Sequence, residues 1–132
     1  MKAELVAQAD LHVGEPMAVQ GDSPTGKFSA VFEDDGETGY FYALDLQRAE
    51  PIVDAVAIYS TEGVADGDRP SVLQIAWSTD GTKALLLINS FPHAVFDFEQ
   101  QRGYCRTGFP PPVGEWSNAG HDWSDDALKL FE

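Results

Sequence analysis

The chain is poor in cationic residues, in cysteine and in uninterrupted apolar sequence. Eight Lys and Arg stand against 22 Asp and Glu, giving a formal net charge of −14. The carboxylate excess holds in every third of the chain, so it belongs to the whole surface and not to a tail. Nucleic acid and anionic membrane would both be repelled by such a surface, and direct binding to either is disfavoured. One cysteine, Cys105, excludes an intrachain disulfide. No segment reaches the roughly 20 apolar residues of a membrane-spanning helix. Residues Met1 to Asp10 lack the apolar run of a secretory signal. A reducing, cytoplasmic setting is expected.

Alternating apolar sequence, punctuated by Gly and Pro, is what the chain does have. Its 132 residues suit one domain, 1–132, with its own core. Ser71 to Ser90 is the organising stretch, two apolar runs joined by Asp80-Gly81, a strong hairpin signal. A two-residue type I′ turn there sets Trp77 opposite Ala84, Ile75 opposite Leu86 and Leu73 opposite Ile88. The other face then carries Val72 and Ala76 against Leu85 and Leu87. A three-residue turn with Gly81 in the left-handed region ranks second, because its one-residue slip puts Lys83 beside Trp77. A ribbon apolar on nearly both faces needs cover on both, which places it in the middle of a sheet.

Around it, Glu4 to Gln8 reads as an edge strand and Leu11 to Gly26 as turn-rich, with a brief strand at Met17-Ala18-Val19. Phe28, Ala30 and Phe32 alternate with Ser29 and Val31, and Gly39 to Leu46 answers them as a second hairpin. Pro51 to Ser60 has helical spacing at Ile52, Val53, Val56 and Tyr59, but its β-branched residues favour a strand, which is the reading adopted. Thr61 to Pro70 reads as a polar loop, and Ala94, Phe96 and Phe98 as a further strand. Gln100 to Gly120 looks irregular, with Phe109-Pro110-Pro111-Pro112 extended in polyproline fashion. A short helix is predicted after Ser124, its apolar stripe Ala127, Leu128 and Phe131 docked on the sheet. The expected fold is α+β: a mainly antiparallel twisted sheet of about six or seven strands with one short C-terminal helix.

The chain resembles a known family in several blocks. They include Gly21-Asp22-Ser23-Pro24, Ala30-Val31-Phe32-Glu33-Asp34-Asp35-Gly36 and Thr38-Gly39-Tyr40-Phe41-Tyr42-Ala43. Further on come Asp54-Ala55-Val56, Ile58-Tyr59, Trp77-Ser78, Asp80-Gly81, Ala94-Val95-Phe96-Asp97-Phe98, Gly103-Tyr104-Cys105-Arg106 and Phe109-Pro110. These are similar to small bacterial proteins grouped as domain of unknown function 2251, over about Gly21 to Trp123. The resemblance implies a small single bacterial domain and supplies no catalytic residue, cofactor or partner.

The candidate chemistry is thin. Gly21-Asp22-Ser23 resembles the nucleophile block of GDSL-type esterases, and Asn118 and His121 have the spacing of their Asp-x-x-His. Asn118 cannot act as the orienting carboxylate, and Pro24 interrupts the continuation toward a helix, so a Ser turn is the preferred reading. His12, His93, Asp97, Cys105, His121 and Asp122 show no zinc spacing, and His93 and Asp97 on one strand would lie about 13 Å apart. No metal or cofactor is expected. Neither Asp66-Gly67-Asp68 nor the loop Glu33 to Glu37 has a calcium register. Cys105 reads as a small buried hydrophobe, and Trp116 and Trp123 as lids over the sheet or as anchors for a partner.

Two function classes follow, with a non-enzymatic role ranked above an enzymatic one. The first is an interaction module for a basic protein, such as a toxin or nuclease, using Glu33, Asp34, Asp35 and Glu37 with Trp116 and Trp123. The second is an enzyme or small-ligand binder whose pocket lies between the sheet and residues 100–123 and gathers Ser23, Cys105 and His121.

Overall fold

The computed structural model of the protein describes residues 3–63, 70–111, 116 and 120–131. Nine strands run through it: β1 (Ala3–Leu11), β2 (Met17–Asp22), β3 (Phe28–Asp34), β4 (Thr38–Asp45), β5 (Ile52–Ser60), β6 (Ser71–Ser78), β7 (Lys83–Ile88), β8 (Phe91–Asp97) and β9 (Arg102–Cys105). They pair antiparallel throughout. The order is β1-β6-β7-β8-β9 in a five-stranded sheet and β2-β3-β4-β5 in a four-stranded one. Mainly antiparallel architecture is as expected, whereas the single sheet of six or seven strands is corrected to nine strands in two sheets.

The physical reason is that the brief strand read at Met17-Ala18-Val19 runs on through Asp22, and that a segment read as irregular contains β9. In β2, Met17, Val19 and Gly21 point inward and Ala18, Gln20 and Asp22 outward, but the innermost position is a glycine, which hides the alternation. A side-chain carbon at Gly21 would lie 2.9 Å from both Val6 and Ile75. β9 is four residues long, too short to display a period. Facing sheets also give the strongest aromatic strands somewhere to go. Phe41 of the four-stranded sheet stacks on Phe96 of the other at 4.9 Å, and Phe28 stacks on Phe98 at 4.4 Å. Burying each such ring contributes roughly 1.5–3 kcal/mol.

The central hairpin has the expected register, Trp77↔Ala84, Ile75↔Leu86 and Leu73↔Ile88. Both its faces are covered. Leu73, Ile75, Trp77, Ala84 and Leu86 join the core between the sheets, while Ala76 and Leu85 pack under Ala127 and Phe131 of the C-terminal segment. Its turn is not the primed one: Gly81 N–H donates to Ser78 O at 2.9 Å and only Gly81 has a positive φ, 75°. Asp80 does not have a positive φ, and its carboxylate ties the turn together by accepting from the Ser78 and Thr82 hydroxyls and from Thr82 N–H. The turn with two left-handed residues sits one hairpin later, at Asn89 (φ 53°) and Ser90 (φ 67°).

Residues 52–60 are the strand β5, as read from their β-branched content. The C-terminal helix is a 3₁₀ helix, Asp125–Phe131, and a second 3₁₀ turn occupies Thr61–Gly63. The Phe109–Pro110 peptide bond is cis, which corrects the polyproline expectation there; Pro112, Asn118 and the Asp66-Gly67-Asp68 motif lie outside the described residues. Among the described residues, no helix is long and apolar enough to cross a membrane.

Candidate functional site

β5 is the edge of the four-stranded sheet, and the chain after β9 runs along it. Thr107 Oγ donates to Ala57 O, and Ala57 N–H donates to Phe109 O at 2.7 Å. Further on, Cys105 bridges to Asp122, and its N–H donates to His121 O at 2.9 Å. This route carries His121 to the inward face of β5, where Asp54 shares the parity of Val56 and Ile58. His121 Nε2 lies 2.8 Å from both carboxylate oxygens of Asp54, and its Nδ1 meets Pro110 O. Burial pulls the imidazole pKa down, but Asp54 and the Pro110 carbonyl outweigh it and the net shift is upward. Gly103 makes room for the pair: a side-chain carbon there would stand 2.5 Å from Asp54 Oδ2.

Cys105 and Ser23 complete the set proposed for a pocket, and neither is poised for chemistry. The Cys105 thiol is fully buried and donates to Ala57 O at 3.2 Å. Ser23 is buried in the β2–β3 turn, where its hydroxyl donates to Gly81 O at 2.7 Å and accepts from Thr25 N–H. That is the Ser turn of the preferred reading. An opening of about 180 Å³ does lie between the two sheets near Gln101 and Trp116, but Phe28, Asp45, Arg48 and Phe98 line it, and Ser23, Cys105 and His121 do not. No group of three or more His, Cys, Asp or Glu able to hold a metal ion occurs among the described residues.

The acidic turn between β3 and β4 divides into two kinds of carboxylate. Asp34 is buried, 1% exposed, and accepts from Gly14 N–H, Gly36 N–H and the Tyr59 hydroxyl at 2.6 Å. It therefore leaves the exposed set to which the sequence assigned it, because three donors converge on its position. In return it holds the Tyr59 phenol strongly in its protonated form, with burial the largest cause. Asp35 is exposed, caps Glu37 and Thr38 N–H with one oxygen, and these bonds lower its pKa. Glu33 and Glu37 are exposed. Thr61 N–H donates to Glu37 O, and Glu37 and Glu62 border one shallow depression.

Trp116 is buried against Phe96 and Phe98, edge to face, and acts as a lid. Trp123 is half-buried over the second core, with the Arg106 guanidinium 3.9 Å from its ring centroid; the same guanidinium lies 4.6 Å from the Phe91 ring centroid. Neither is a bare anchor. The large apolar groups left exposed include Ile52, on the outer face of the four-stranded sheet. Val31, Tyr40, Tyr42 and Leu44 stand on that same face, half-exposed, with no described element packed over them. Tyr40, Tyr42 and Leu44 alternate within the strand read at Gly39 to Leu46, and sequence reasoning assigned their face no role. It also passed over Asp54, although a carboxylate in phase with Val56 and Ile58 was a readable sign of a buried partner.

A family model described as "Uncharacterized protein conserved in bacteria (DUF2251)" matches residues 11–132. A protein of Haemophilus influenzae, itself described as uncharacterised, is 44% identical over 110 residues, covering 82% of this chain and 68% of the relative. No solved structure matches the chain significantly.

Proposed function

The chain belongs to this conserved bacterial family of uncharacterised proteins, and from that premise we propose that it is a non-enzymatic interaction module for a basic protein partner, such as a toxin or nuclease, in the cytoplasm. The observation that carries this reading is the exposed carboxylate group at the β3–β4 end of the sandwich. Glu33, Asp35 and Glu37 stand together there with Glu62 nearby, all exposed. None of them forms an ion pair with a cation among the described residues. Gathering like charges costs stability and gains nothing in packing, so the arrangement suits a partner that brings the missing positive charge.

One further feature favours binding over catalysis. The side chains that would be called on for nucleophilic or acid–base work are each committed to a structural bond. His121 has both ring nitrogens engaged, Cys105 is sealed under β5, and Ser23 closes a turn.

Affinity capture from a bacterial lysate at 50 mM and 500 mM salt, with wild type and the Glu33→Gln, Glu37→Gln, Glu62→Gln variant, tests the reading. A protein of basic isoelectric point should be retained at low salt by wild type and largely lost both at high salt and from the variant. Retention of only acidic or neutral proteins, indifferent to salt and to the substitutions, would overturn it.

A further inference from the structure

The outer face of the four-stranded sheet adjoins the acidic end and has the opposite character along most of its length. By register, Gln20, Val31, Tyr42 and Ala55 form one row across it, and Asp22, Ser29, Leu44 and Ile52 the next. Glu33 and Tyr40 stand opposite each other in the row toward the acidic turn. Val31, Tyr42, Leu44, Ile52 and Glu33 line an open trough of about 300 Å³. Ile52 is 57% exposed at its apolar end. At the other end is a single carboxylate, with the Tyr42 hydroxyl 3.4 Å from Glu33 Oε1 and the Tyr40 and Tyr42 rings 6.0 Å apart beside it.

We propose that this trough is the docking site for an extended segment of the basic partner, and that it takes one lysine or arginine side chain. The aliphatic stem lies along Ile52, Leu44 and Val31, and the charged head reaches Glu33 beside the Tyr42 ring. The chemistry selects this occupant. A wholly apolar residue would cover Glu33 without satisfying it. An acidic one would be opposed by Glu33 and by the net charge of −14. A long side chain with an apolar stem and a cationic tip matches both ends, and the tyrosine faces add attraction for the cation. On the five-stranded sheet, by contrast, Ala127 and Phe131 cover Ala76, Leu85 and Val95 of the outer face. This inference rests on the reading that the partner is basic, and adds the surface and the side chain it uses.

The test is amide-resolved NMR titration of the full chain with three peptides. These are acetyl-Gly-Leu-Lys-Leu-Gly-amide and its analogues with norleucine or glutamate in place of lysine. The lysine peptide should shift the amides of Val31, Glu33, Tyr42, Leu44 and Ile52 saturably, and bind about fivefold more tightly than the norleucine peptide, the worth of an exposed cation–π contact and ion pair together. Glu33→Gln should remove part of the lysine peptide's advantage over norleucine, leaving the share of the tyrosine rings, and Ile52→Ser should weaken both. Shifts confined to residues 35–38 and 62 would overturn the trough while leaving a basic partner in place. Equal affinity for lysine and norleucine would overturn it too, and the absence of saturable shifts with the lysine peptide anywhere would overturn both readings.

Discussion

His121 bridges two buried groups, its Nε2 2.8 Å from both carboxyl oxygens of Asp54 and its Nδ1 against the Pro110 carbonyl, a pure acceptor that takes a proton from Nδ1. The two side chains are 1% and 5% exposed, and their contact favours the imidazolium form, which lets Nε2 donate to the carboxylate. The His121 pKa lies above the ordinary 6.5, while burial and the Arg106 charge hold that of His93 below the same value.

The two histidines give stability opposite slopes on either side of pH 6.5. A raised folded pKa stabilises fully below 6.5 and is lost as pH rises through the folded value; a lowered one stabilises above 6.5 and is lost as pH falls. Urea midpoints measured from pH 5 to 9 should therefore peak near 6.5. In the Asp54→Asn variant, the decline above the peak should flatten, and overall stability should fall by about 3–5 kcal/mol, because a buried cation is left without its partner. A midpoint that climbs steadily from pH 6.5 to 9 would contradict the upward shift at His121.

Trp77→Ala empties the largest fully buried site in the core and removes the indole N–H bond to Gly21 O at 3.0 Å. Denaturant melts should show a loss of about 3–5 kcal/mol. A loss below about 1 kcal/mol would mean that the hairpin faces are exchanged.

Gly21→Ala adds one methyl group where Val6 and Ile75 already stand 2.9 Å away. The expected cost is about 1–3 kcal/mol by overpacking. Gly120→Ala, with nothing within 4 Å of the added carbon, is the matched control and should be far milder in the same melts.

Neutralising Glu37 and Glu62, which do not line the trough, should act mainly on association. Stopped-flow binding to a captured basic partner should slow by about tenfold at low salt, with the difference gone near 0.5 M, while dissociation changes little. Asp34 and Asp35 are kept in this variant because their oxygens hold backbone N–H groups. A change confined to dissociation would point to desolvated contacts in place of steering.

The hairpin register and the strand at residues 52–60 were legible because period-2 alternation and β-branching are local signals. The division into two sheets was not, since it rests on pairings such as Gln8 with Gln74, which no local pattern announces. Gly21 hid the end of its strand and Gly103 the whole of its own for a common reason: each is the position where another side chain fills the space a residue would have used. At the acidic turn, the sequence placed four carboxylates together but could not say that Tyr59, twenty-five residues away, claims one of them. The outer tyrosine face was visible as an alternation, yet whether anything covers such a face depends on where the rest of the chain goes.

Where the two sheets meet along β5 and β9, Thr107, Phe109 and Asp122 occupy backbone groups that a strand end would otherwise present to a neighbour. On the opposite side, β1 is interrupted by a register shift at Val6 and carries Glu4 and Asp10, and β2 carries Asp22. One flank is therefore stoppered by the molecule's own tail and the other is irregular and negatively charged. A molecule made so largely of ladder is, at its margins, a poor template for another copy of itself, which leaves its bare sheet face free to be apolar without inviting edge-to-edge growth.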